Sequence, residues 1–180
     1  MRQWNEAVSL PGTLADRYFK EHRYLAIENL GDLSHALRWH PLNSAIIALM
    51  TDPVTGEEIG VHRTFLAGDG AKISRKMLGR QGLVRLSRDE DVTQGVGVTE
   101  GIEDGLAILL SGWAPVWVAT SAGAIARFPV INGIEALTIF ADADAPGYAA
   151  AQECAERWIE AGREAVISPP PRVTPKGYQP

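Results

Sequence analysis

Residues 136–147 read ALTIFADADAPG. An apolar run of five residues is followed by Asp142 and Asp144, and then by Pro146, a residue suited to the first turn of a helix. The next stretch, GYAAAQECAERWIEAG (147–162), sets Tyr148, Ala151, Ala155, Trp158 and Ile159 at helical spacing and stops at Gly162. Strand, paired acids and helix therefore follow one another directly. Two like charges where a strand stops need a physical reason.

The same grammar extends on both sides. GVGVTE (95–100) is a short apolar strand ending at Glu100, and IEDGLAILLSG (102–112) is a helix closed by Gly112. PVWVAT (115–120) is a strand, SAGAIARF (121–128) a turn and short helix, and EAVIS (164–168) a last strand. Alternating strands and helices imply a mainly parallel sheet covered on both faces. In such sheets function sits beyond the carboxyl ends of the strands. Glu100 and Asp142 both close strands that lead into helices, so they share that edge. An extended backbone past Asp142 turns Asp144 to the same side and Ala143 away.

Three carboxylates in one crevice repel one another and raise each other's pKa values. Three hard oxygen donors with no soft ligand nearby suit Mg²⁺ or Mn²⁺, and such a cation is what lets the aspartates tolerate each other. Other readings stay open for the single residues. Asp144 also fits a cap for the helix that begins near Pro146, and Glu100 also fits a carboxylate answering a helix dipole.

The first ninety residues have a different rhythm. PGTLADRYFKEHRYL (11–25) offers a helix with Thr13 at its N-cap and Leu14, Tyr18 and Leu25 turned inward. ALRWHP (36–41) is a short strand stopped by Pro41. Residues 45–66 are two strands about the turn DPVTG, and LVRLS (83–87) is another short strand. Between them, Gly68 to Gly82 is read as a Gly-rich basic loop with some helix. This is a small mixed α+β lobe.

Charge is unevenly spread. The chain of 180 residues has a net charge of −5, yet between His62 and Arg88 stand seven bases (Arg63, Lys72, Arg75, Lys76, Arg80, Arg85 and Arg88) against Asp69 alone. A basic segment in an acidic protein implies a local anionic partner or a solvated charged surface. One cysteine, Cys154, allows no intramolecular disulfide and makes the cytoplasm the expected compartment. It sits in an apolar helix stripe, as a packing residue; Trp39, Trp113 and Trp117 are read as packing too. No apolar run approaches the ~20 residues of a membrane span, and no membrane is expected as a partner. His22, His35, His40 and His62 lack ligand spacing, so no zinc is expected in this chain. There is no phosphate-binding loop of a helicase motor.

VTEGIEDGLAILLSG (98–112) followed by FADADAPGYAAAQECAERWIEAG (140–162) resembles the Toprim domain, whose signature is a glutamate, usually followed by glycine, after the first strand and a later Asp-x-Asp. Glu100-Gly101 and Asp142-Ala143-Asp144 match it, over roughly residues 93–170. GTLADRYFKEHRYL, LRWHP, GVHRTFL, KISRKMLG and VRL resemble the region that precedes Toprim in phage- and plasmid-type, bacterial DnaG-like DNA primases and primase–helicases. The resemblance implies three segments: a primase-like lobe (1–92), a Toprim catalytic domain (93–168) and a Pro-rich tail or linker (169–180). It implies metal-dependent nucleotidyl transfer making short RNA primers. Glu100, Asp142 and Asp144 would be catalytic and metal-holding, with Arg63, Lys72, Arg75 and Lys76 contacting nucleic acid or nucleotide. The helix starts at Gly101 and Gly147 would bring backbone N–H groups to phosphate. Expected partners are single-stranded DNA, ribonucleoside triphosphates, and a helicase or zinc-binding module supplied elsewhere. A metal-dependent nuclease and a non-catalytic replication scaffold are the alternatives.

Overall fold

The computed structural model describes residues 1–169. The expected tail, 169–180, lies almost wholly outside the described residues. Two sheets are built in sequence and joined through one core.

The first half opens with α1 (Arg2–Glu6) and α2 (Leu14–Arg17), which runs on as a wider π-type turn, Tyr18–His22. Thr13 stands at the N-cap of α2, but its hydroxyl donates back to Leu10 O at 2.6 Å. Tyr18 and Leu25 are buried as expected. Four antiparallel strands follow in spatial order: β1 (Leu37–His40), β2 (Ala45–Thr51), β3 (Glu58–Leu66) and β4 (Lys72–Gly79). The basic stretch read as loop with some helix is thus the edge strand β4. Its glycines lie at its ends, and its charged residues suit a solvated edge.

The second sheet has the order β5-β7-β6-β8-β9. It comprises β5 (Val84–Arg85), β6 (Gly95–Thr99), β7 (Val116–Val118), β8 (Ala136–Phe140) and β9 (Glu164–Ser168). β5 pairs antiparallel with β7, and the other neighbours are parallel. The helices are α3 (Ile102–Leu110), α4 (Ala122–Ala126) and α5 (Ala145–Glu160). The LVRLS strand, which falls in the expected first lobe, therefore adds to the second sheet.

The two helical faces of this sheet bury different partners. α3 turns Ile102, Leu106 and Ala107 into a core shared with Tyr18, Phe19, Leu37, Met50 and Leu86 of the first half. α4 and α5 cover the other face, where Ala151, Cys154, Ala155 and Trp158 meet Val96, Val98, Leu137 and Ile139. Trp158 is fully buried and stacks on Phe128 with ring centroids 5.9 Å apart. Burial of each such large apolar side chain is worth about 1.5–3 kcal/mol. Tyr148 and Ile159, at helical spacing with Ala151, Ala155 and Trp158, are 45% and 57% exposed; the buried stripe runs through Gly147, Ala150, Ala151, Cys154, Ala155 and Trp158.

The halves are also clipped at a seam. Thr51 and Leu83 form an isolated bridge between the sheets. Arg85 donates to the Asp52 and Pro53 carbonyls, both at 3.2 Å, and its guanidinium lies 4.8 Å from the Trp117 ring centre. Because α3 and α5 leave adjacent strands β6 and β8 toward opposite faces, a crevice opens beyond the carboxyl ends of those two strands.

Candidate active site

Glu100 is the first residue past β6, and Asp142 lies two residues past β8. Pairing of β6 with β8 puts both at the crevice. The backbone at Ala122, where α4 starts, favours the charged form of the Glu100 carboxylate. Its pKa is raised, first by burial and then by the charges of Asp142 and Asp144, with Arg75 opposing. The Asp142 carboxyl is raised by burial and by Asp144, again with Arg75 opposing. The three expected carboxylates therefore share one field.

Asp144 takes up the capping reading made of it. It is the N-cap of α5, with extended backbone, and its Oδ1 accepts the Gly147 N–H at 2.8 Å. That bond corrects one expectation, because the Gly147 N–H offered to phosphate is committed to the cap. A Cβ at Gly147 would come within 2.7 Å of the Asp142 carbonyl, so the glycine is there for close approach. Gly101 is the N-cap residue of α3, and a Cβ there would strike the Asp104 carboxylate.

Asp104, whose place one turn beyond Glu100 allows either a solvated helix carboxylate or a support behind the ligands, stands in the same field as the expected acids. Its carboxyl is raised by burial and by the charges of Asp142 and Glu103. The signal was its position four residues after Glu100, one turn into α3. Among the described residues, no three His, Cys, Asp or Glu side chains stand close enough together to form a ready metal-ligand set. The acids form an electrostatic cluster rather than a closed cage. The Asp144 carboxylate is held by its cap. This donor chemistry still fits Mg²⁺ or Mn²⁺, which keep several waters and need only one or two carboxylates.

The basic residues divide by strand register. On β3, Arg63 pairs with Lys76, and Thr64 with Arg75. Successive residues alternate faces, so Arg63 and Lys76 lie on the face under α1, where Val61 and Phe65 pack with Trp4. Arg63 spends its guanidinium on Gln3 (3.5 Å) and on the Met77 carbonyl (3.4 Å). Arg75 lies on the opposite face, whose charge reaches Glu100 and Asp142. A bulge at Ile73 shifts the parity, pairing Lys72 with Leu66 and returning Lys72 to the Arg75 face. There Lys72 Nζ bonds Glu103 Oε1 at 3.1 Å. The sequence placed four bases at the site; the structure brings Arg75 to the acids, engages Lys72 with α3, and turns Arg63 and Lys76 away.

His62 lies beside Arg75 on the inner face. It is buried, its Nδ1 has no hydrogen-bond partner, and burial with the Arg75 charge lowers its pKa.

A parallel α/β sheet with a glutamate after one strand, an Asp-x-Asp after its neighbour and helices on both faces defines a class. Residues 95–177 match the family model of the Toprim domain, and the chain carries a Toprim domain. Residues 1–86 match a second family, described as Domain of unknown function (DUF7146).

Among solved structures, the fold is that of primase catalytic cores. The primase fragment of the bacteriophage T7 primase-helicase protein superposes with a TM-score of 0.53 at 20% identity, covering 71% of this chain and 54% of that one. The zinc-binding and RNA polymerase domains of the Aquifex aeolicus primase give 0.58 at 15% identity, covering 98% and 54%. A DnaG primase catalytic domain bound to ssDNA gives 0.59 at 15% identity, covering 97% and 71%. The chain thus spans about half the length of the first two. Curated protein sequences give no match. No helix among the described residues is long and apolar enough to cross a membrane.

Proposed function

We propose that the chain is the catalytic core of a DNA primase, which joins ribonucleotides into short primers on single-stranded DNA. The observation that carries this reading is the acidic crevice between β6 and β8 with Arg75 standing opposite it. Such a site suits a polyanion whose reacting phosphate lies between a cation-holding wall and a guanidinium. The resemblance of both halves to primase cores supplies the reaction class.

Glu100, Asp142 and Asp144, with Asp104 beside them, would hold Mg²⁺ or Mn²⁺. Bound there, the ion supplies charge neutralisation at the reacting phosphate and acidifies a hydroxyl. The chain's own residues do the remainder. Arg75 receives charge on the phosphates of the incoming ribonucleoside triphosphate. Glu100, whose proton affinity is raised, takes the proton of the attacking 3′-hydroxyl or lends its charge to the cation. The hydroxyl oxygen bonds to the α-phosphorus as pyrophosphate leaves. A helicase or a zinc-binding module on another polypeptide or segment would deliver the template. The T7 relative is a primase-helicase fragment, and the Aquifex relative has a zinc-binding domain.

The test is primer synthesis with single-stranded DNA, labelled ribonucleotides and Mg²⁺ or Mn²⁺, run beside Asp142→Ala. Short products that vanish in the variant are expected. Shortened DNA in place of products would move the assignment to a nuclease. Intact DNA and no product, with a helicase and a zinc-binding module supplied, would move it to a scaffold.

A further inference from the structure

The strand that carries Arg75 is tied to the acidic edge at both ends. Ahead of Arg75, Lys72 Nζ bonds Glu103 Oε1 at 3.1 Å, and the same oxygen accepts the Tyr18 hydroxyl at 2.5 Å. Arg23 completes the cluster: its Nε donates to the Tyr18 oxygen at 2.7 Å, and its Nη2 stands 3.7 Å from Glu103. Glu103 adjoins Asp104 on the first turn of α3. Beyond the other end of β4, Gln81 Nε2 donates to Ser121 Oγ at 2.8 Å and to Thr120 Oγ1 at 3.3 Å. Ser121 Oγ also caps α4 by accepting the Ala124 N–H at 3.1 Å, and the backbone of the next residue, Ala122, favours the charged form of Glu100. Thr120 holds φ +69, a conformation costly for a β-branched residue, at the carboxyl end of β7.

Each tie therefore ends at the acidic edge: one on the neighbour of Asp104, the other on the turn from β7 into α4, where the Ala122 backbone favours the charged form of Glu100. β4 is otherwise an edge strand with one neighbour, β3. An edge strand pinned by hydrogen bonds at both ends holds its middle at a fixed height. Here the middle is Arg75.

We infer that Glu103 and Gln81 are positioning residues, which strap β4 across the acidic crevice and set the gap between Arg75 and the carboxylates. This rests on the primase reading only for its consequence in catalysis; the strap itself stands on the hydrogen bonds. The gap it sets is the space for the triphosphate, so loosening either tie lowers turnover through Arg75.

The experiment is native-state hydrogen exchange on the full chain for Glu103→Gln, Gln81→Leu and Lys72→Arg. Glu103→Gln and Gln81→Leu should speed exchange of the β4 amides bonded to β3 by about tenfold or more, while α5 amides keep their wild-type rates. Lys72→Arg, which preserves the ion pair, should stay within about threefold of wild type. Unchanged β4 exchange in both tie variants overturns the strap. Equal acceleration in α5 overturns it too, since that reads general loosening. These readouts need no primer synthesis, so an inactive wild-type chain would defeat the proposed function without touching them. Where the wild type is active, kcat should fall in the tie variants, and adding Arg75→Ala to either should cost less than about twofold more. Full additivity of the two losses would show that the ties act elsewhere than through Arg75.

Discussion

Asp142→Asn has opposite effects with and without divalent cation, and the sign reversal is the test of the acidic cluster. Asp142 is half-buried, and its carboxyl is raised by burial and by Asp144, with no hydrogen bond among the causes. Asparagine keeps the shape and removes the charge. For carboxylates near enough at a protein surface to raise one another's pKa, Coulomb repulsion is on the order of 1 kcal/mol after solvent screening. Removing it should raise Tm by about 2–4 °C for a chain of this length in chelator. Added Mg²⁺ at ten times its Kd should stabilise the wild type by about 1.4 kcal/mol and the variant far less. The pH dependence follows the same sign. A raised carboxyl binds its proton more tightly in the folded chain, so wild-type stability falls as pH rises from the ordinary aspartate value through the raised one. The variant lacks that fall. Thermal melts of both proteins, with EDTA or Mg²⁺ at two pH values, supply every term. A variant no more stable than wild type in EDTA, together with an equal Mg²⁺ shift in both, would refute the argument.

Other outcomes follow from single contacts. Asp144→Ala removes the α5 cap and should cost about 1 kcal/mol in urea melts, whereas Asp144→Asn, which keeps an acceptor for Gly147, should cost only a few tenths. Arg75→Ala should weaken ribonucleoside triphosphate binding by about tenfold or more in equilibrium titrations, the loss of one charge-assisted phosphate contact, while Arg63→Ala leaves it alone because its guanidinium is spent on the opposite face. His62 is held below its ordinary value by burial, so it contributes stability that is present above about pH 6.5 and lost as pH falls toward its folded value. His62→Gln should flatten that part of the stability curve between pH 7.5 and 5, measured by denaturant midpoints.

What the residues made legible was set by local physics. Period and punctuation decide the second sheet: short apolar strands, helices closed at Gly112 and Gly162, and acids at strand ends. β4 was hidden because its sequence contradicts its state. Lys72, Arg75 and Lys76 are poor strand formers by composition, and glycines flank them. An edge strand needs only one bonded side and no buried face, so charge does not forbid it. β5 was found as a strand but assigned to the first lobe, since two residues carry no information about which sheet they join. Helical spacing alone does not say which side of α5 is buried, because alanines pack equally well on either side; the tight approach at Gly147 chooses the face and leaves Tyr148 and Ile159 exposed.

The site shows the same limit in sharper form. Glu100, Asp142 and Asp144 are local consequences of two neighbouring strands, and the residues alone were enough to bring them together. Which bases face them depends on a parity that the one-dimensional pattern does not carry. Without the bulge at Ile73, strict alternation would set Lys72 on the face of Lys76, away from Arg75 and from Glu103. One extra residue therefore lets the same strand be tied to α3 by Lys72 and present Arg75 to the acids. The partner of that tie is equally remote, for Tyr18 and Glu103 are separated by 85 positions and meet only because α3 packs against the first half. Deleting Ile73 would return β4 to regular pairing and reverse every side chain on one side of the bulge. The bulge, more than the count of bases in the segment, is what makes an ordinary basic edge strand the counterpart of the acidic crevice.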